Sequence, residues 1–306
     1  MTDFAAALPE QPAALDKIIA LHEKAAKPLK KDAEARIIWH NEQHKSKTPW
    51  SIVYLHGFKG SQGEGYPVHR TIAQTFGCNL YLARLHGHGL IRKHNLGDLS
   101  SEDLLQSAMD ACRIGEKIGG NVIVMGTSTG ASLALYAAAS NRFSNIIKAL
   151  VLYSPLVHLY GINSLLLENS IGRTALRFIP GKNHQIKYDP FSPEEEAIWY
   201  SSYLLNGALV LGETVQKIMR SSLFAQVQCP VFTGYYYKNS LHHDRVVSTS
   251  AIKRMMQKLG TVSSKKLLVN FPNAGSHVIA NSLLSNAVQD VIRETSSFLE
   301  RNAFYS

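Results

Sequence analysis

N-V-I-V-M-G-T-S-T-G-A-S-L-A-L-Y-A-A-A, residues 121–139, decides how the rest of the chain is read. Val122, Ile123, Val124 and Met125 form an unbroken apolar run, the pattern of a strand covered on both faces. From Ala131 onward the stretch is rich in Ala and Leu, which favour helix. Between strand and helix lies G-T-S-T-G, with Ser128 at its centre and glycine two residues away on either side. This is the pattern of a nucleophile elbow. A serine on so tight a turn projects its hydroxyl clear of the sheet, and Gly126 and Gly130 remove side chains that would collide across the turn. The helix begins directly behind the serine, so the amide of Thr129 is placed to face a developing oxyanion.

Upstream, residues 15–26 carry apolar side chains at helical spacing and predict a short amphipathic helix after an Ala- and Pro-rich tail over 1–12. Residues 36–40 and 50–55 predict two strands joined by a polar turn, expected to pair as an antiparallel hairpin. The second strand runs into H-G-F-K-G-S-Q-G-E-G, residues 56–65. The spacing fits neither a P-loop nor a G-x-G-x-x-G turn. An oxyanion loop fits better: Gly57 permits an unusual turn, which frees the amide of Phe58. A helix over 66–76 and a strand over 79–85 follow, then H-G-H-G at 86–89. His86 and His88 lack a carboxylate or cysteine at metal spacing, and the glycines favour a tight structural corner. Ser100 or Ser101 caps a helix over 102–118 with acids in its first turn, ended by Gly119 and Gly120.

Another buried strand is expected at 147–153. Strands and helices that alternate in this way build a mostly parallel sheet with helices on both faces. Ligands bind such sheets outside the carboxyl ends of the strands, where Phe58 and Ser128 both lie. The alternation stops over 156–225, where no clear strand is visible. Residues 179–184 are loop-like, and Ser192 followed by Pro193 is a strong helix start. The sheet resumes at 229–237, then come a helix ending near Lys258 with Ser248 or Thr249 as cap, a strand over 266–270, and a last amphipathic helix over about 285–301.

A serine hydroxyl needs a base within hydrogen-bond reach, and the base needs an orienting carboxylate. After an elbow of this kind the order is serine, acid, histidine. Between residues 214 and 289 the chain has one acid, Asp244, just beyond the 229–237 strand. After Asp244 it has one histidine, His277, in a Gly-Ser loop behind the last strand. His242 and His243 adjoin Asp244 too closely in the chain to be the obvious base.

Taken together, Ser128, Asp244, His277 and the H-G loop resemble the alpha/beta-hydrolase superfamily, specifically its capped esterase and monoacylglycerol-lipase-like branch, over residues 35–301. The resemblance implies a hydrolase core over 35–155 and 226–306, a helical cap inserted over 156–225, and a separate N-terminal tail and helix over 1–34. It implies a serine hydrolase acting on small or medium acyl esters, monoacylglycerols among them, through an acyl-enzyme on Ser128. Asp244 would orient His277, and the amides of Phe58 and Thr129 would form the oxyanion hole, with no metal and no organic cofactor. An acyltransferase, an amidase or peptidase, a carbon–carbon hydrolase, or a non-catalytic ligand-binding relative would use the same framework. Two departures stand out. The loop is H-G-F-K-G rather than a triple-glycine form, and Gly234 is followed by three tyrosines and a long loop before Asp244.

Composition agrees with a globular enzyme: 306 residues, 45% hydrophobic and 18% charged, suffice for one large core with an insertion. No apolar run reaches the length of a membrane span, and the first residues lack a secretory pattern. Cys78, Cys112 and Cys229 are widely spaced and fit buried reduced thiols, so a cytoplasmic location is expected. The formal charge is +9, but the basic residues are scattered and carry no nucleic-acid motif. The expected partner is a small-molecule ester, not nucleic acid or an integral membrane.

Overall fold

The computed structural model describes residues 8–26, 28–178, 184–188 and 192–304. Part of the expected N-terminal tail and nearly all of the 179–184 loop lie outside the described residues. The central sheet is built from β1 (Arg36–Ile38), β2 (Thr48–Leu55), β3 (Asn79–Leu82), β4 (Gly119–Thr127), β5 (Ile147–Tyr153), β8 (Val231–Tyr235) and β9 (Lys266–Asn270). Their order across the sheet is β1-β3-β2-β4-β5-β8-β9. All neighbours are parallel except β1, which runs antiparallel to β3. The expected hairpin of the first two strands is therefore corrected: β1 pairs Arg36 with Leu82 and Ile38 with Leu80 at the sheet edge. β2 is already flanked by β3 and β4 and has no free edge to offer.

Strand β4 is central, and its apolar run divides between two cores. Val122 and Val124 face α3 (Ser101–Ile118) and α4 (Thr129–Ala139), while Ile123 and Met125 face α2 (Val68–Thr75) and α11 (Val288–Leu299). All four side chains are fully buried, each stabilising the fold by about 1.5–3 kcal/mol. The cap of α3 is Ser100, whose hydroxyl accepts the Asp103 amide; that of α10 (Thr249–Lys258) is Ser248, which accepts the Ala251 amide. Ahead of the sheet, α1 (Leu15–Ala25) is pinned by Glu23, whose buried carboxylate accepts both Arg84 Nε at 2.6 Å and Nη2 at 2.9 Å.

Segment 156–225 holds α5 (Ile162–Leu167), α6 (Ser170–Arg177), α7 (Pro193–Ile198), α8 (Leu205–Ile218) and most of α9 (Ser221–Gln226). It also holds a short antiparallel ladder of β6 (Gln185–Lys187) with β7 (Ser202–Leu204), where no strand was expected. Three residues per strand are too few for a hydrophobic alternation to show in the sequence. Ser192 and Glu195 form a reciprocal capping box at the start of α7. α8 packs against α3 and α4 of the core, so this end of the segment is bound to the sheet side of the molecule.

Candidate active site

Parallel pairing of β2 with β4 sets Leu55 opposite Gly126. The loop leaving β2 and the turn leaving β4 therefore emerge side by side. They do so where the strand order reverses, with β3 on one side of β2 and β4 on the other. This is the switch point at which parallel sheets bind ligands.

Ser128 sits there with φ 53 and ψ −115, a conformation costly for a residue with a side chain. The surroundings hold it in place. Its amide donates to Tyr153 O on β5 at 2.9 Å, and its carbonyl accepts the amides of Ser132 at 3.1 Å and Leu156 at 3.2 Å. The two glycines have different jobs. A Cβ on Gly126 would lie 2.6 Å from the backbone of Gly130 and Ala131, across the turn as expected. A Cβ on Gly130 would lie 2.0 Å from Leu55 O, so this glycine lets α4 approach β2.

Asp244 reaches the same edge despite the long loop. Residues 237–243 fold back on themselves: Tyr237 bridges His243, and Lys238 donates to His242 O at 2.9 Å. The Asp244 amide then donates to Tyr236 O, one residue beyond β8. The buried carboxylate accepts the Val246 and Val247 amides on Oδ1, and its Oδ2 lies 2.6 Å from His277 Nδ1. An acceptor at Nδ1 assigns the ring proton to that nitrogen and leaves Nε2 as the basic lone pair. Nε2 is buried and has no hydrogen-bond partner among the described residues. Burial lowers the His277 pKa, but the Asp244 charge, its hydrogen bond and the Glu64 charge outweigh it, and the net direction is up.

The amides of Phe58 and Thr129 have no acceptor among the described residues. Thr129 opens α4, where an amide is orphaned by helix geometry. Phe58 lies in a turn closed by the Gly60 amide on Gly57 O at 3.2 Å. The left-handed residue of that turn is Lys59, φ 59. A Cβ added at Gly57 would come within 2.9 Å of the Glu64 carboxylate. His56 is buried and neutral: Nδ1 donates to Gly57 O, Nε2 accepts the Leu85 amide, and burial pushes its pKa down to about 4. The Phe58 ring packs edge-on against His88 of the corner and Tyr203 of β7.

The sequence missed three residues that shape this site. Ser154 Oγ donates to His277 O, Glu64 accepts the Gly57 amide, and Trp199 Nε1 donates to Glu64. Ser154 is foreshadowed only by its place at the end of a strand, and Glu64 only as an acid in a glycine-rich loop. His242 and His243 turn to Asn239 and to the Asp244 backbone. Among the described residues no group of three or more His, Cys, Asp or Glu side chains is placed to hold a metal ion. No helix among them is long and apolar enough to cross a membrane.

The sequence profile of the alpha/beta hydrolase family matches residues 52–293, most of the chain. The chain belongs to the alpha/beta hydrolase family. Solved alpha/beta hydrolases of similar fold include one described with the metagenome-derived lipolytic enzymes LipS and LipT, at TM-score 0.70 and 18% identity over 89% of this chain and 99% of that one. Another is Est1E from Butyrivibrio proteoclasticus with ferulic acid bound, at TM-score 0.61 and 18% identity over 88% and 94%. A third is a soluble variant of monoglyceride lipase from Saccharomyces cerevisiae, at TM-score 0.59 and 13% identity over 91% and 97%. At these identities the likeness is one of fold. A search of the curated protein sequences found no match.

Proposed function

We propose that this alpha/beta hydrolase cleaves carboxylic esters through an acyl-enzyme on Ser128. The observation that carries the reading is the 2.6 Å contact of His277 Nδ1 with Asp244 at the edge where the Ser128 elbow stands, with His277 Nε2 left as a buried lone pair. In this mechanism Nε2 takes the Ser128 hydroxyl proton as Oγ bonds to the ester carbonyl carbon. The amides of Phe58 and Thr129 receive the negative carbonyl oxygen. The tetrahedral intermediate collapses, the bond to the alcohol oxygen breaks, and His277 returns its proton to the departing alkoxide. Water then gives a proton to Nε2 while attacking the acyl carbon. Ser128 leaves with that proton, releasing the acid. Asp244 keeps the ring oriented and stabilises the imidazolium.

Small and medium acyl esters, monoacylglycerols among them, are the proposed substrates. Lipolytic and ferulate-binding relatives of the same fold support this class. Residues 156–225 are proposed as the cap that selects among them, supported by the contacts of Trp199, Tyr200 and Tyr203 with the loop over 56–65. The test is a chain-length series of p-nitrophenyl esters with wild-type protein and Ser128→Ala. Turnover that peaks at short or medium chains and disappears in Ser128→Ala supports the reading. Ester turnover that persists in Ser128→Ala refutes it, and Ser128 reactivity without ester turnover shifts the assignment to acyl transfer or amide chemistry.

A further inference from the structure

One carboxylate inside the site has no part in the three-residue constellation. Glu64 is buried, at 3% exposure, yet it belongs to a loop that is otherwise mostly glycine and small polar residues. One oxygen accepts the Gly57 amide at 2.5 Å and the other accepts Trp199 Nε1 at 2.9 Å. Two N–H donors, one on each oxygen, are the pattern of an ionised carboxylate. Gly57 and Gly60 both face it: added Cβ atoms would lie 2.9 and 3.2 Å from its oxygens. The loop that carries the Phe58 amide is thus wrapped around this side chain. Gly57 does not take a left-handed φ, and a methyl there would press on the Glu64 carboxylate.

We propose that Glu64 is a positioning residue for the reaction: its carboxylate clamps the oxyanion loop at Gly57 and so holds the Phe58 amide in place. The proposal rests on the hydrolytic reading above. Trp199 ties the same carboxylate to segment 156–225, and the Tyr200 amide donates to Lys59 O at 2.9 Å beside it. The carboxylate therefore links that segment to the loop that carries the Phe58 amide. The groups around the carboxylate are Tyr54 of β2, Lys59 of its own loop and His277 behind β9. Beyond them, Glu195 of α7 faces Lys59, Asp244 backs His277, and His69 of α2 lies edge-on to Tyr54. Burial raises the Glu64 carboxyl above its ordinary value, and the Trp199 and Gly57 donors and the His277 and Lys59 charges offset this only in part, so the net direction is up.

The test is Glu64→Gln, which keeps the shape, removes the charge and sets an amide NH2 against one of the two N–H donors. Two readouts are compared. The Gly57 and Phe58 amide resonances are measured by 15N NMR in a Ser128→Ala background, where no turnover is needed; kcat and KM are measured with Ser128 present. The expected results are a displaced Gly57 and Phe58 amide signal and a kcat lower by about 10- to 100-fold with KM changed much less. Unchanged amide signals or an unchanged kcat overturn the proposal. If Glu64→Gln does not fold, Gly57→Ala presses a methyl against the carboxylate, and a kcat equal to wild type in that variant overturns the proposal equally. Absence of Ser128-dependent turnover in the wild type would instead defeat the hydrolytic reading, and the NMR comparison would still score the clamp on the loop.

Discussion

Ser154 Oγ donates to the backbone carbonyl of His277 across 2.7 Å, tying the end of β5 to the loop behind β9. Ser154 is itself fixed, with φ 44 and its amide on Gly234 O at 2.7 Å. The imidazole is thus located twice, at its ring by Asp244 and at its backbone by Ser154. Ser154→Ala removes the second restraint and leaves a carbonyl short of a donor, at a cost of about 1–3 kcal/mol in stability. Its kcat is expected to fall by about tenfold or more with little change in KM, because a base displaced by a fraction of an ångström loses alignment. Steady-state kinetics with one chromogenic ester checks this, and a kcat equal to wild type would remove Ser154 from the account.

The pH profile follows from the raised pKa of His277. In the proposed mechanism only the neutral ring accepts the Ser128 proton, so kcat/KM is expected to fall as pH drops through that pKa. Since the direction is up, the acid limb is expected above the ordinary histidine value of about 6.5. Asp244→Asn removes both the charge and the acceptor and is expected to cost about 10⁴-fold in kcat. A wild-type limb well below the ordinary histidine value would contradict the coupling of His277 to two carboxylates.

The placement of the candidate residues was partly legible in the sequence, and the limits have physical causes. Ser128 was readable because its elbow is local: strand, turn and helix are contiguous, and the steric need for Gly126 and Gly130 is written at fixed offsets. Asp244 and His277 were readable because one acid and one histidine occupy the downstream windows. Glu64 and Ser154 were not, because each acts on a residue brought close only by folding, on Trp199 far along the chain and on His277. The β1 pairing failed for the same reason: nothing local tells an edge strand which neighbour is still unpaired. The long loop before Asp244 looked like a departure, yet residues 237–243 close on themselves and cost no displacement of the acid.

A stability prediction comes from histidines outside the proposed chemistry. His56, His69 and His88 are fully buried; burial lowers them to about 4, to about 3 and well below the ordinary value, respectively. Below about pH 6.5 the unfolded chain binds protons that the folded one refuses, so stability falls as pH drops. Three such groups give a slope of up to about 4 kcal/mol per pH unit. His277, with its pKa raised, is protonated in both states below that point and adds no slope there. Urea titrations between pH 7 and pH 5 are expected to show a steep loss of midpoint, and a flat midpoint would mean that these rings are not held neutral.

Intact-mass and peptide mapping after reaction with a fluorophosphonate tests Ser128 as the nucleophile. One adduct per chain is expected, located on Ser128, absent in Ser128→Ala and formed much more slowly in His277→Ala. No adduct on the wild-type protein, or an adduct that persists in Ser128→Ala, would contradict it.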